Sequence, residues 1–287
     1  MNNLWKTRLR SCSKSVGFTV QMLCSPSGRS VHKDPPPLVL VPGIDGTALL
    51  FYRQIPLLAE RFRVSTFPLP DQSDCTMDSL VDALREHCDR VAGGQKVTVC
   101  GESFGGALSL SYALSHPETL HRLVIVNSFP VIRRRAGLRL APFLLKVVPW
   151  RTMNFARRFS GSRLHSPHTL PEDLSQYHQR VRRGGRKGYI RRLEILRQYD
   201  IQERLGEIKT PTLFLASEQD HLVPSVSEAR LMAARMPRAT VKVLEGYGHI
   251  CLINHELNLL EEIANWIEDT DGEGTSAVKK AAGPPSA

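Results

Sequence analysis

Gly101-Glu102-Ser103-Phe104-Gly105-Gly106 constrains this chain more than any other segment. It lies between a strand-forming run, Lys96 to Cys100, and a small-residue apolar run, Ala107 to Ser115, with the character of a helix. Glycines two before and two after a serine permit a strand-to-helix turn so sharp that a Cβ at either place would collide with neighbouring backbone. Such a turn lifts the serine hydroxyl above the end of a sheet.

The runs around it predict that sheet. Leu38 to Val41, Phe62 to Phe67, His121 to Asn127, Pro211 to Ala216 and Thr240 to Leu244 are strand-like. Helical patterns fall around Tyr52 to Arg61, at Met77 to Val91, and at Glu256 to Glu268, where Leu259, Leu260, Ile263, Trp266 and Ile267 make one face. Alternating strands and helices indicate βαβ units and an α/β fold with a mainly parallel central sheet and helices on both faces. At 287 residues one catalytic domain with an insertion is the simplest division. We place it at 35–268, between a basic N-terminal segment, 1–34, and a Gly/Ser/Ala/Pro-rich tail, 269–287, expected to be disordered.

The alternation lapses between Pro130 and about Asp200, and there the charge is concentrated. The whole chain carries a formal net charge of +10, yet Val131 to Gln198 alone holds 17 Arg and Lys against Glu172, Asp173 and Glu194. Apolar clusters such as Phe143-Leu144-Leu145 and Val147-Val148-Pro149-Trp150 make this stretch an inserted helical cap, about 130–200, rather than a linker. Its basic, apolar character suits peripheral contact with anionic lipid, or a solvated face with apolar residues turned inward. No nucleic-acid fold or interleaved aromatic series accompanies Arg182-Arg183 and Arg191-Arg192, so nucleic acid is not an expected partner. No apolar run reaches the roughly 18 to 20 residues of a membrane span. The six cysteines have no CxxC and no regular spacing, which suits free thiols in a reducing compartment. The expected location is cytoplasmic, with membrane association through the cap as an alternative.

A serine hydroxyl is a weak nucleophile and needs a base, with a third group to hold that base in the right tautomer. His249 follows the strand Thr240 to Leu244 in Gly246-Tyr247-Gly248-His249, and Asp220 lies just beyond Pro211 to Ala216. Both fall where open α/β sheets place their sites. His116, His221 and His255 do not follow a strand in this way, and Glu218 competes with Asp220 for the acid position. A tetrahedral intermediate also needs oxyanion donors. The backbone N–H groups of Phe104 and of Ile44, in Pro42-Gly43-Ile44-Asp45-Gly46-Thr47, are the candidates. For Asp45 three readings stand: a loop cap, a substrate contact, or a solvated turn residue.

Together these segments resemble the α/β-hydrolase superfamily over roughly Leu38 to Ile267, although Pro42-Gly43 stands where that family usually has His-Gly. Pro42-Gly43-Ile44-Asp45-Gly46 with Gly101-Glu102-Ser103-Phe104-Gly105-Gly106 also resembles the plant esterase and phytyl ester synthase group, which is similar to lipases and to acyltransferases. The resemblance implies hydrolysis of a small carboxylic ester through an acyl-enzyme on Ser103, with His249 and Asp220 completing a catalytic triad and the insertion shaping the acyl pocket. Neither a metal nor an organic cofactor is expected. The alternatives are acyl transfer to a lipid alcohol on the same triad, and a non-catalytic protein that keeps the fold to bind a ligand.

Overall fold

In the computed structural model the described residues are 35–132, 145, 164–181 and 183–281, with side chains to 270. The N-terminal segment 1–34, and with it Cys12 and Cys24, lies outside them, as do Arg182 and most of the insertion's arginines. Six strands form one parallel sheet: β1 (Pro37–Val41), β2 (Arg63–Thr66), β3 (Val97–Glu102), β4 (Leu120–Val126), β5 (Thr212–Ser217) and β6 (Ala239–Leu244). Their order is β2-β1-β3-β4-β5-β6.

Side chains alternate between the two faces of a strand, and both faces of this sheet are covered. On one face Val39, Val41, Val97, Val99, Leu123, Ile125 and Phe214 pack with α2 (Met77–Ala92) and α3 (Phe104–Ser115). On the other, Leu38, Leu40, Val124, Val126, Leu213 and Leu215 pack with α1 (Gln54–Leu58) and the last helix, Leu259–Ala281. Strands with no polar face therefore appear in sequence as continuous apolar runs.

Strand order reverses at β1, which has β2 on one side and β3 on the other. Such a reversal opens a crevice beyond the carboxyl ends of the strands. The loop after β1 and the turn after β3 both border it.

Several boundaries differ from expectation. β3 runs on through Gly101 and Glu102, and α3 begins at Phe104, one residue past the serine. The last helix starts at Leu259 rather than Glu256, because Asn254 and Asn258 make local turns, their side chains accepting from the N–H groups of Glu256 and Glu261. That helix also continues to Ala281, into the stretch 269–287 expected from its composition to be disordered.

The insertion leaves and returns at one neck, where Val131 bridges Asp200 and the N–H of Ile201 donates to the carbonyl of Pro130 at 3.0 Å. Within it lie α4 (Pro171–Val181) and α5 (Arg186–Gln198), followed after β5 by α6 (Ser225–Ala233) and by α7, the last helix.

Candidate active site

Ser103 sits at the N-cap of α3 with φ 53° and ψ −115°, backbone space that a non-glycine residue occupies at a cost of about 1–3 kcal/mol. What holds it there is close packing. A Cβ on Gly105 would overlap the carbonyl oxygens of Val41 and Pro42, so the first turn of α3 backs directly onto the end of β1. The Ser103 N–H donates to the Val126 carbonyl at 2.9 Å, and the Ser128 hydroxyl donates to the Ser103 carbonyl at 2.8 Å. Unpaired N–H groups at a helix start, with the positive end of its dipole, lie next to the serine.

His249 arrives from the loop after β6. Its Nε2 is 3.1 Å from Ser103 Oγ and its Nδ1 is 2.7 Å from Asp220 Oδ2. All three side chains are buried or nearly so. Asp220 is saturated with donors: Leu222 N–H and Val223 N–H reach Oδ1 at 2.9 Å each, while the Ser225 hydroxyl and His249 reach Oδ2. Burial alone would raise the Asp220 pKa, but the hydrogen bond and charge of His249, with Ser225 and Val223, hold it below the usual carboxylate value. For His249 burial works against the charged ring, and Asp220 and Glu102 outweigh it, so its pKa is raised. A carboxylate that only accepts leaves the imidazole one tautomer, with the proton on Nδ1 and a lone pair on Nε2 facing the serine hydroxyl.

The competing assignments go elsewhere. Glu218 accepts from the Gly246 N–H at 3.0 Å and so fastens the β6 loop instead of facing His249. His116 meets Arg85 at 3.1 Å, and His255 lies 3.9 Å from Glu256. Asp45 is buried and accepts from the N–H of Thr47 at 3.0 Å and from its hydroxyl, which is the loop-cap reading. Phe104 is the first residue of α3, and Ile44 lies on the loop after β1, each where the sequence places a candidate oxyanion donor.

Several contributors are invisible in the motifs. Asn127, with φ 47°, uses its amide to join three segments: Nδ2 donates to Ser217 Oγ at 2.9 Å and to the His249 carbonyl at 2.8 Å, and Oδ1 accepts from the Ser217 N–H at 2.8 Å. Asparagine tolerates that left-handed conformation better than most residues. The insertion also touches the histidine loop, since Gly248 N–H donates to Ser166 Oγ at 3.0 Å and Ile250 N–H to the Leu164 carbonyl at 2.9 Å.

Glu102 is a further missed residue. It is buried, and its carboxyl lies where a Cβ on Gly43 would be. Burial, with the charges of Asp45 and Asp220 adding to it against the opposing effect of His249 and Gly43, pushes its pKa up to about 7. The four cysteines within the described residues, Cys75, Cys88, Cys100 and Cys251, are buried and form no disulfide with one another. Among the described residues no cluster of three metal-ligating side chains occurs, and no helix is long and apolar enough to cross a membrane.

Comparison with known proteins places this geometry in context. The family profile described as alpha/beta hydrolase fold matches residues 36–256. The pimeloyl-[acyl-carrier protein] methyl ester esterase of Nitrosomonas europaea is 30% identical over 210 residues, covering 67% of this chain and 80% of its own. RutD of Serratia proteamaculans, provisionally named a carbamate hydrolase, is 27% identical over 266 residues, covering 84% of this chain and 94% of its own. Among solved structures, MenH from S. aureus superposes with a TM-score of 0.72 at 20% identity, over 84% of this chain and 96% of that one. At that identity the likeness is one of fold.

Proposed function

This chain belongs to the alpha/beta hydrolase fold family, and on that premise we propose that it is a serine hydrolase that cleaves a carboxylic ester through an acyl-enzyme on Ser103. The observation that carries the reading is the unbroken chain of contacts from Ser103 Oγ through the His249 ring to Asp220 at the carboxyl end of the sheet. In the first half-reaction His249 Nε2 takes the hydroxyl proton as Oγ attacks the ester carbonyl. Negative charge then develops on the carbonyl oxygen, where the N–H groups of Phe104 and Ile44 stabilise it. Collapse expels the alkoxide, which receives the proton from His249. Water enters by the same path in reverse: His249 takes its proton, the acyl group passes to the new hydroxyl, and Ser103 recovers its hydrogen. Asp220 stays ionised throughout and stabilises the imidazolium between the two transfers. None of these steps needs a metal or an organic cofactor.

The test is hydrolysis of p-nitrophenyl esters from short to long acyl chains, with a matched aryl carbamate and with a long-chain alcohol added as acceptor. Ester turnover with a defined chain-length optimum is the expected result. A carbamate cleaved faster than every ester would move the substrate class to carbamates, and an alkyl ester product exceeding free acid would make the protein an acyltransferase. No turnover of any substrate, with no labelling of Ser103 by a fluorophosphonate, would leave a ligand-binding protein.

The raised His249 pKa has a consequence for the pH profile. Catalysis requires the neutral ring, so activity is lost as pH falls through the His249 pKa. Ionised Glu102 favours the imidazolium; Glu102→Gln removes that charge. The acidic limb of kcat/KM is therefore expected to move to lower pH in the variant. The stability sign follows from proton uptake: native Glu102 binds its proton more tightly than the unfolded chain does, so its contribution is present at low pH and is lost as pH rises from the ordinary glutamate range to about 7. Glu102→Gln should flatten the unfolding free energy over that window. Denaturant unfolding at a series of pH values and a kcat/KM profile measure the two effects, and an unmoved acidic limb would separate Glu102 from the histidine.

A further inference from the structure

Arg192 is a cationic side chain that is almost wholly buried, with 3% exposure, on a helix of the insertion and outside every sequence motif. Its guanidinium points into the loop after β1. Nε donates to the carbonyl of Ile44 at 2.9 Å, Nη2 to that of Asp45 at 3.4 Å, and Nη1 to that of Pro70 at 3.1 Å. Burial pulls its pKa down from the ordinary value, while the charges of Asp45 and Asp71 act in the opposite direction. Both carboxylates are spoken for elsewhere: Asp45 accepts from Thr47, and Asp71 accepts from the Gly188 N–H on α5. The cation is thus caged by backbone carbonyls rather than by an ion pair, an arrangement whose evident product is a fixed backbone.

The two peptides it holds, Ile44–Asp45 and Asp45–Gly46, follow directly on the one that carries the Ile44 N–H and matters for the reaction proposed above. The Gly43 carbonyl accepts from the Gly46 N–H at 3.0 Å. With Arg192 on the Ile44 carbonyl, the peptide planes on both sides of Ile44 are pinned. Turning the Ile44 N–H would require breaking the bond from Gly46 to the Gly43 carbonyl, and Arg192 holds the two peptides inside that turn. Gly46, at φ 75°, leaves room for the guanidinium, since a Cβ there would collide with it.

We propose that Arg192 is a positioning residue that fixes the Ile44 N–H as an oxyanion donor and thereby makes catalytic competence depend on seating of the α5 helix against the sheet. The inference rests on the acyl-enzyme reading and deepens it. An oxyanion donor is worth about 10²- to 10³-fold in rate, and its effect is felt in the transition state far more than in substrate binding.

The experiment compares wild type with Arg192→Lys and Arg192→Met on the best ester of the panel. Active sites are titrated with a fluorophosphonate so that rates refer to folded, reactive protein, and a trifluoromethyl ketone bearing the same acyl group serves as tetrahedral analogue. Arg192→Met is expected to lose about 10- to 100-fold in kcat per titrated site with KM within about threefold, and the ketone Ki should weaken by the same factor. Arg192→Lys, whose ammonium cannot reach all three carbonyls in the plane of a guanidinium, should fall between the two while unfolding near the wild-type temperature. If Arg192→Met fails to fold, the lysine variant carries the test alone: a parallel loss in kcat and ketone affinity supports positioning. Rates per titrated site within twofold of wild type, or a raised KM with unchanged ketone affinity, would overturn it and leave the acyl-enzyme reading standing. A wild type that neither turns over nor labels would overturn both.

Discussion

Ser103→Ala is expected to lower ester turnover by at least about 10⁴-fold while leaving the fold intact. The two halves of that expectation have separate grounds. The hydroxyl is the atom 3.1 Å from His249 Nε2, and without it no acyl-enzyme forms; whatever rate remains comes from binding and from oxyanion donors acting on attack by water. The fold does not depend on Oγ, because the backbone contacts of Ser103 to Val126 and Ser128 persist and its side chain does not cap α3. Alanine inherits the same strained φ, so the change in unfolding free energy should stay within about 1 kcal/mol. Steady-state kinetics, fluorophosphonate labelling and thermal unfolding of the two proteins side by side make the measurement. Residual activity within tenfold of wild type would remove Ser103 from the chemistry altogether.

The second large effect belongs to Asp220→Asn, a change of one atom that the surroundings do not tolerate. Each carboxylate oxygen of Asp220 accepts from two donors, Leu222 N–H and Val223 N–H on one side, Ser225 and His249 on the other. An asparagine must turn its NH₂ toward one pair. If it faces the two backbone N–H groups, buried donors oppose one another at a cost of about 1–3 kcal/mol. If it faces His249, Nδ1 must become the acceptor, the proton moves to Nε2, and the ring can no longer take a proton from Ser103. A fall of about 10⁴-fold in kcat is expected from the wrong tautomer. Asp220→Ala would give a similar loss in rate but should leave fewer opposed donors. Comparison of the two in kinetics and in unfolding therefore separates tautomer from packing. Near-normal kcat in Asp220→Asn would show that Asp220 does not set the state of the ring.

Sequence patterns carry the strand order of events well and the fastening of the site poorly. The elbow, His249 and Asp220 are legible because a tight turn needs glycines and because carboxyl ends of strands can be located from apolar runs. Asn127 and Ser128 follow β4 with no accompanying signal: a polar pair at a strand end looks the same whether it ties three segments together or faces water. Glu102 is the variable position of its motif, and only the depth of the turn reveals that its carboxyl is buried. Arg192 is one of 17 basic residues in a stretch whose sum invites surface explanations, and its burial depends on the α5 register, which apolar clusters interrupted by arginines do not define. The last helix starts at Leu259 because asparagine turns outweighed local periodicity.

The parallel sheet also sets a timetable for reactivity. Ser103 precedes His249 by 146 residues, and His249 precedes only the closing helix in the described chain. A chain growing from its N-terminus can fold β1, β3 and the elbow while Asp220 and His249 have yet to be made. If Ser103 is the nucleophile proposed above, it is an ordinary alcohol until β5 and β6 dock. On the acyl-enzyme reading, the chemistry is thus withheld from the nascent polypeptide until the segments that carry Asp220 and His249 have been made.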